Sequence, residues 1–221
     1  VVVSRELSRK EIAAICKTGI EVETFVHGAL CMSVSGQCGL SAMIGSRSAN
    51  RGRCAQACRL PFSAKGDKNG CALSLKDLCL VPYVAELAED GVASLKIEGR
   101  CKRPEYVAAA VTALVQARAG ETPDLDTLRA VFSRSGFTDG YYTGKRQQMF
   151  GPRQKDDVLQ GQKVLPQLAQ LYQKPTPQIP LDMHVTVQTG QPAVLKLRDG
   201  DGISVSVSGD VVQPARTKAL R

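Results

Sequence analysis

The stretch Glu23-Thr-Phe-Val-His-Gly-Ala-Leu-Cys31 runs on as Met-Ser-Val-Ser-Gly-Gln-Cys38, and returns later as Asn50-Arg-Gly-Arg-Cys54-Ala-Gln-Ala-Cys58-Arg59. Residues 20–26 alternate apolar and polar side chains and read as a strand. That strand enters a loop, 27–60, which is rich in Gly, Ser and Cys and holds four of the eight cysteines. The loop has too few large apolar residues to build a core of its own. A metal centre held by thiolates would supply the missing cohesion. Cys31 and Cys38 are seven positions apart, and Cys54 and Cys58 four, so two separated pairs can converge on one ion or cluster. Neither pair has the two-residue gap of a zinc knuckle or a thioredoxin-like motif. The competing reading is of ordinary buried thiols, since free cysteine is among the most buried residue types.

Working outward, 221 residues allow one large domain or two small ones, and an apolar fraction of 43% is enough for a core. No apolar run is long enough to span a bilayer. Ser4, Arg5 and Glu6 interrupt the apolar start, so no signal peptide is expected. Val1-Val2-Val3 already reads as a buried strand, which suggests a fragment or processed chain lacking the first half of its fold. Eight cysteines without a secretory signal point to a reducing compartment, the cytoplasm, and to metal binding over disulfides. The net charge is +8, and Arg47, Arg51, Arg53 and Arg59 follow one another with no acid between them. They form either a solvated basic loop or a phosphate-contacting surface suited to RNA.

Along the chain, residues 1–5 read as a strand. Ser8 with Glu11 forms a capping box for a helix carrying Ile12, Ile15 and Cys16, closed by Gly19. Residues 71–75 suggest a short strand. Ser74 then caps an expected helix bearing Leu78, Val81, Ala85, Leu87 and Ala88, with Pro82 as a kink or restart and Gly91 as its end. Residues 93–98 form a further strand. Pro104 opens a helix that runs to Arg118. Another helix is expected at 124–132, and a Gly/Arg/Tyr-rich segment, 133–154, wraps back before a helix at 162–173. The expected domains are therefore a partial α/β barrel at 1–120 and a helical, wrapping extension at 121–174. A proline linker at 175–180 then leads to a truncated β-rich domain at 181–221, whose Asp199-Gly-Asp-Gly202 marks a turn. Strand, helix, strand with short connections indicates an α/β fold with parallel strands. Periodicity alone fits the second half of a parallel barrel and an open doubly wound sheet equally.

Active sites of α/β barrels lie at the carboxyl ends of strands. Three such ends carry polar groups: Ser4, Arg5 and Glu6; Glu23, Phe25 and His27; and Lys96, Glu98 and Arg100. Lys96 and Glu98 are two apart on one strand face and read as a buried pair, either a structural ion pair or a poised acid and base. Arg100 stands where it can hold an anionic group. His27 is one of two histidines, read either as a satisfied polar loop residue or as a substrate contact. Tyr106 and Tyr141 are packing residues or base-stacking platforms.

Glu23, Phe25, Gly28, Ala29, Leu30, Cys31, Gly36, Cys38, Leu40 and Ser41 match, at every required gap, the signature of the collagenase-like peptidases of unassigned catalytic type, family thirty-two of the "unknown" class. Residues 4–7, 47–52, 76–79, 94–100 and 136–141 resemble that family too, so the likeness covers about residues 1–150. It implies a (β/α) TIM-like barrel whose first strands precede this chain, followed by a small β-rich domain. The family's name implies proteolysis, yet there is no His-Glu-x-x-His helix, no Gly-x-Ser-x-Gly elbow and no Cys–His pair with an obvious orienting acid. Other members hydroxylate a pyrimidine of ribosomal RNA or the wobble uridine of transfer RNA, with prephenate as an associated metabolite, or hydroxylate ubiquinone with a four-iron four-sulfur cluster. The chain looks most like the branch acting on ribosomal RNA. The resemblance thus implies that Cys31, Cys38, Cys54 and Cys58 bind an iron–sulfur cluster, with Cys79 as a substitute ligand and zinc as the alternative metal. It implies that Lys96, Glu98 and Arg100 line the catalytic pocket, and that Arg47, Arg51, Arg53 and His27 contact RNA.

Overall fold

The computed structural model describes residues 1–62, 70–100, 102–173 and 179–214. The chain divides into two units, Val1–Gln173 and Lys174–Arg221.

In the first unit Val2 makes a parallel bridge to Glu23, at the start of strand β1 (Glu23–Ala29). Between them lies helix α1 (Arg9–Cys16), whose capping box of Ser8 and Glu11 is formed. Ile12 buries its inner face. Strand β3 (Ser94–Ile97) pairs parallel with the other edge of β1. Before it, helix α3 (Val84–Glu89) follows a single 3-10 turn at Val81–Tyr83. Helix α4 (Pro104–Arg118) begins at Pro104, whose missing N–H costs nothing in a first turn. Helix α5 (Leu125–Val131) is capped by the Asp124 carboxylate, which accepts from the Thr127 N–H at 2.9 Å. Short helices α2 (Leu40–Gly45) and α6 (Gly140–Thr143) lie in the connecting segments, and helix α7 (Lys155–Gln173) is longer than the 162–173 expected. Leu114, Leu128 and Leu168, from α4, α5 and α7, are all buried in the core shared with the sheet.

The strands are not all parallel, which corrects the expectation. Strand β2 (Asp77–Cys79) runs antiparallel to the end of β1, with Asp77 opposite Ala29 and Cys79 opposite His27. Strand β4 (Phe137–Thr138), from the segment expected to wrap, pairs parallel with β2. The sheet order is β3-β1-β2-β4, a mixed α/β layer. Residues 77–79 were expected in a helix. Pro82 has no N–H to give a helix arriving from Ser74, and the chain before it extends onto β1 instead. The expected strand at 71–75 is reduced to single bridges, Cys71 to Phe62 and Leu75 to Phe150.

Strand β1 begins three residues later than its alternation suggests, and includes Gly28 and Ala29, which were assigned to the loop. Between Phe25 and His27 the register with β3 shifts, a bulge. The bulge breaks alternation, so Val26 and His27 are buried in succession. His27 is a core strand residue, stacked on Tyr106 (5.3 Å between centroids) and edge-on to Phe137 (5.3 Å). Neither ring nitrogen has a hydrogen-bond partner.

The second unit is a three-stranded antiparallel sheet of β5 (Leu181–Thr186), β6 (Pro192–Asp199) and β7 (Ser204–Val211). Its register puts Met183, Leu197 and Val205 in one row and Val185, Leu195 and Val207 in the next. One face is thus aliphatic, while the rows of His184, Lys196 and Ser206 face the other way. The turn after β6 is where it was expected: Asp199 Oδ1 accepts from the Asp201 and Ile203 N–H groups, at 3.1 and 2.9 Å. The greater part of the expected linker, with Pro175 and Pro177, lies outside the described residues, as does the end of the chain from 215.

Two measurements test this packing. Gly28 has φ +135°, and a Cβ there would lie 2.6 Å from both the Cβ and the carbonyl oxygen of Glu98. Gly28→Ala should destabilise the chain by about 3 kcal/mol or more, from strain plus overpacking, as a lower urea midpoint. Burial pushes His27 down from its ordinary value to about 4. The unfolded chain therefore binds a proton that the folded chain refuses. Stability is full above about pH 6.5 and falls as pH drops toward 4, by about 3 kcal/mol in total. Urea titrations at pH 7 and pH 5 should show this loss, and His27→Phe should reduce it.

Candidate functional site

The polar groups at the carboxyl ends of the parallel strands meet around Arg5. Its guanidinium lies 4.1 Å over the Phe25 ring. One terminal nitrogen is 3.6 Å from the Cys31 sulfur, and the other is 3.4 Å from Glu98 Oε2. The expected Lys96–Glu98 pair is not formed. Lys96 instead pairs with Glu23 across the β1–β3 ladder, and the Ser94 hydroxyl donates to the same Glu23 carboxylate at 3.0 Å. The Lys96 bond, then the Ser94 bond, holds the Glu23 carboxyl below its usual range. The bulge explains the change of partner. Glu98 lies beyond β3, its N–H donating to the His27 carbonyl at 2.8 Å, and it no longer continues the face of Lys96. Lys96 and Glu23 are both part-exposed, so theirs is no deeply buried acid–base pair.

The cysteine loop leaves β1 at Leu30 and is fastened at several points. Arg59 donates to the Leu30 carbonyl, to the Leu75 carbonyl at 2.5 Å and to Ser74 Oγ at 3.2 Å. Arg100 donates to the Gly52 carbonyl at 3.2 Å. Asn50 donates to the Gly36 carbonyl at 2.8 Å. Glu6 receives the Ser35 N–H and hydroxyl. Ser41 is buried and its Oγ accepts the Ala55 N–H at 3.1 Å.

The seven described cysteines are all free thiols, and Cys31 and Cys54 are exposed. Cys31 exposes part of its side chain, and the partial desolvation of its thiol pushes that thiol up. Arg5 and Arg59 oppose that shift, while the neighbouring Cys58 and Cys54 add to it. Cys31, Cys54 and Cys58 therefore share one electrostatic neighbourhood. Two donors approach the Cys54 sulfur, the Gln56 N–H at 3.3 Å and the Ser41 hydroxyl at 3.9 Å. Sulfur acceptors ringed by N–H and O–H donors are the chemistry of a thiolate-bound metal centre. Among the described residues no three His, Cys, Asp or Glu side chains converge at metal-binding geometry. The donor chemistry fits such a group, while the thiols stand apart. Cys79 belongs elsewhere: it is buried on β2, and burial pushes its thiol up to about 11.

Arg47, Arg51 and Arg53 are exposed and make no ion pair among the described residues. His27 is 0% exposed, so as folded it cannot touch a substrate arriving from solvent. Tyr106 is likewise a core residue, its hydroxyl donating to the Glu98 carbonyl at 3.3 Å. The tether made by Arg59 and the buried Asp77–Arg134 pair (2.5 Å) were not foreseen. Their partners are 15 to 57 positions away in sequence, and no local pattern announces them.

Among the described residues no helix is long and apolar enough to cross a membrane. Residues 1–150 match the family model described as Peptidase family U32. A collagenase of Porphyromonas gingivalis is 36% identical over 176 residues, 66% of this chain and 42% of that protein. A 5-hydroxycytidine synthase of 23S rRNA from Escherichia coli is 45% identical over 114 residues, 48% of this chain and 18% of that protein. A tRNA hydroxylation protein of Bacillus subtilis is 40% identical over 125 residues, 51% of this chain and 30% of that protein. The chain thus spans less than half the length of these relatives. No solved structure matches it. With the signature of β1 and the cysteine loop intact and two thirds of its length matched, the chain belongs to peptidase family U32.

Proposed function

We propose that this chain is part of a cytoplasmic enzyme that hydroxylates a pyrimidine base of RNA with the help of an iron–sulfur cluster. The observation that carries the reading is the single neighbourhood of Cys31, Cys54 and Cys58 on a loop that also presents Arg47, Arg51 and Arg53 to solvent. Relatives named for RNA hydroxylation support it. Cys38 would join these three thiols as cluster ligands once the loop closes on the metal. When bound, the cluster supplies one-electron redox chemistry. The protein's own part is positional. Arg5 holds the Cys31 side of the loop against Glu98 and Phe25, and Arg100 holds its Gly52 side. Lys96, Glu98 and Arg100 border the space at the strand ends where a flipped base would enter. The parallel run of Val1–Val3, β1 and β3, with helices between, supports an arc of a (β/α) barrel as the setting.

Proteolysis, the reading attached to the family name and to the collagenases, finds less support. A thiol nucleophile needs a lowered pKa and a histidine base. Cys31 is shifted upward, and the histidine of this unit is sealed in the core. A structural zinc site is the other alternative, and colour separates it, since zinc is spectroscopically silent.

Anaerobically purified protein should absorb broadly in the visible and contain iron and acid-labile sulfide, and Cys31→Ala with Cys54→Ala should lose all three. A colourless zinc protein that cleaves peptides would overturn the reading. The Arg51→Ala, Arg53→Ala double variant should bind single-stranded RNA with a salt slope shallower by about 1.4, from two lost phosphate contacts at ~0.7 each. An unchanged slope would remove those arginines from the interface.

A further inference from the structure

A second group of charges lies at the end of β1 and touches the thiol neighbourhood only through Arg59. Asp77 sits opposite Ala29 and is 1% exposed. Its Oδ1 accepts from Arg134 at 2.5 Å, and its Oδ2 has no partner. Three cations crowd the Phe132 ring: Lys102 Nζ lies 3.0 Å from its centroid, the Arg153 guanidinium 4.1 Å and the Arg134 guanidinium 4.9 Å. Arg59 also acts on Asp77, but its nitrogens are engaged by backbone carbonyls and Ser74. Among the described residues Lys102, Arg153 and Arg59 form no ion pair. Two carboxylates therefore face four cations, Asp77 within the group and Asp157 beside Arg153, which leaves an excess of two positive charges.

Attraction to an aromatic face does not neutralise charge, and like charges held this close out of water repel. Burial and the nearby Arg134 push the Lys102 amine down to about 8. Polar groups deeper in the core are also unsatisfied: His27, stacked on Tyr106, has both ring nitrogens unpartnered at 0% exposure, and Tyr106 meets Phe132 edge-on at 6.1 Å. Arg153 is exposed while Arg134 is buried, so the group reaches from solvent inward.

We propose that this cluster is a binding site for a compact dianion, a small dicarboxylate or a phosphate monoester, held by Lys102, Arg153 and Arg134 over the Phe132 ring. Asp77 is the positioning residue that fixes Arg134. The excess positive charge favours two negative charges on one small molecule over the single charge of an RNA backbone phosphate. The inference does not rest on the iron–sulfur reading and is tested without RNA.

The full chain is titrated calorimetrically with inorganic phosphate and with succinate, at an ionic strength held constant with chloride. Saturable binding of one dianion per chain is expected. Lys102→Met and Arg153→Gln should each weaken it by about tenfold or more, and Lys102→Arg should retain it. Arg153 is exposed, so its variant keeps the test valid if Lys102→Met does not fold. Absence of saturable binding by both anions, or binding unchanged in Arg153→Gln, overturns the proposal. Binding of a single-stranded oligoribonucleotide that is lost in Arg153→Gln, with neither free dianion bound, overturns it in favour of a backbone-phosphate contact. Loss of iron with dianion binding intact would sink the cluster reading and leave this one standing.

Discussion

The close approach of two backbones at Gly28 and Glu98 is the constraint on which the site depends. A methyl group at Gly28 would overlap Glu98, so the strand ends meet at a distance that glycine alone permits. That approach accompanies the bulge between Phe25 and His27, and the bulge decides which side chains face where. It turns His27 into the core, frees Glu98 from the face of Lys96, and leaves Arg5 to join Glu98 to Cys31. The chemistry-bearing loop begins two residues later. Its geometry is therefore set by the sheet before any cysteine is reached.

Local signals in the sequence were dependable where one short segment decides the outcome. The Ser8–Glu11 box, Pro104 as the first residue of α4, and the Asp199 turn all rest on neighbours within a few positions. Residues 77–79 suit a helix by their local pattern, a Ser followed by spaced aliphatics, whereas their pairing with β1 is a long-range fact. Lys96 was given the wrong partner for the same reason: Glu23 lies 73 positions away but adjacent across the ladder. His27 reads as a loop residue because the apolar alternation ends at residue 26, and the bulge that buries it is a matter of register with β3. The cysteine pattern was legible as a grouping, but the way the thiols stand relative to one another was not.

Two kinds of positive charge emerge, with different physics. Arg47, Arg51 and Arg53 are exposed and screened, and their influence on a polyanion falls with added salt. Arg59, Arg134 and Lys102 are withdrawn from water and interact strongly over short distances. The first set suits approach and orientation of a long partner; the second set suits a tightly fitted group. Counting the chain's +8 as one property hides this division.

Arg59 has a consequence of another kind. One side chain grips the loop's departure at Leu30 and the segment ahead of β2 at Leu75, while its backbone neighbour is Cys58. On the proposed metal reading, a metal drawing Cys58 inward would pull on the same clasp that holds β1 and the segment entering β2 together. Metal occupancy and sheet stability would then be thermodynamically linked, each raising the other by the same free energy. On that reading, filling of the cysteine loop would register as a rise in melting temperature. The sheet would then serve as a gauge of sulfur chemistry that takes place outside it.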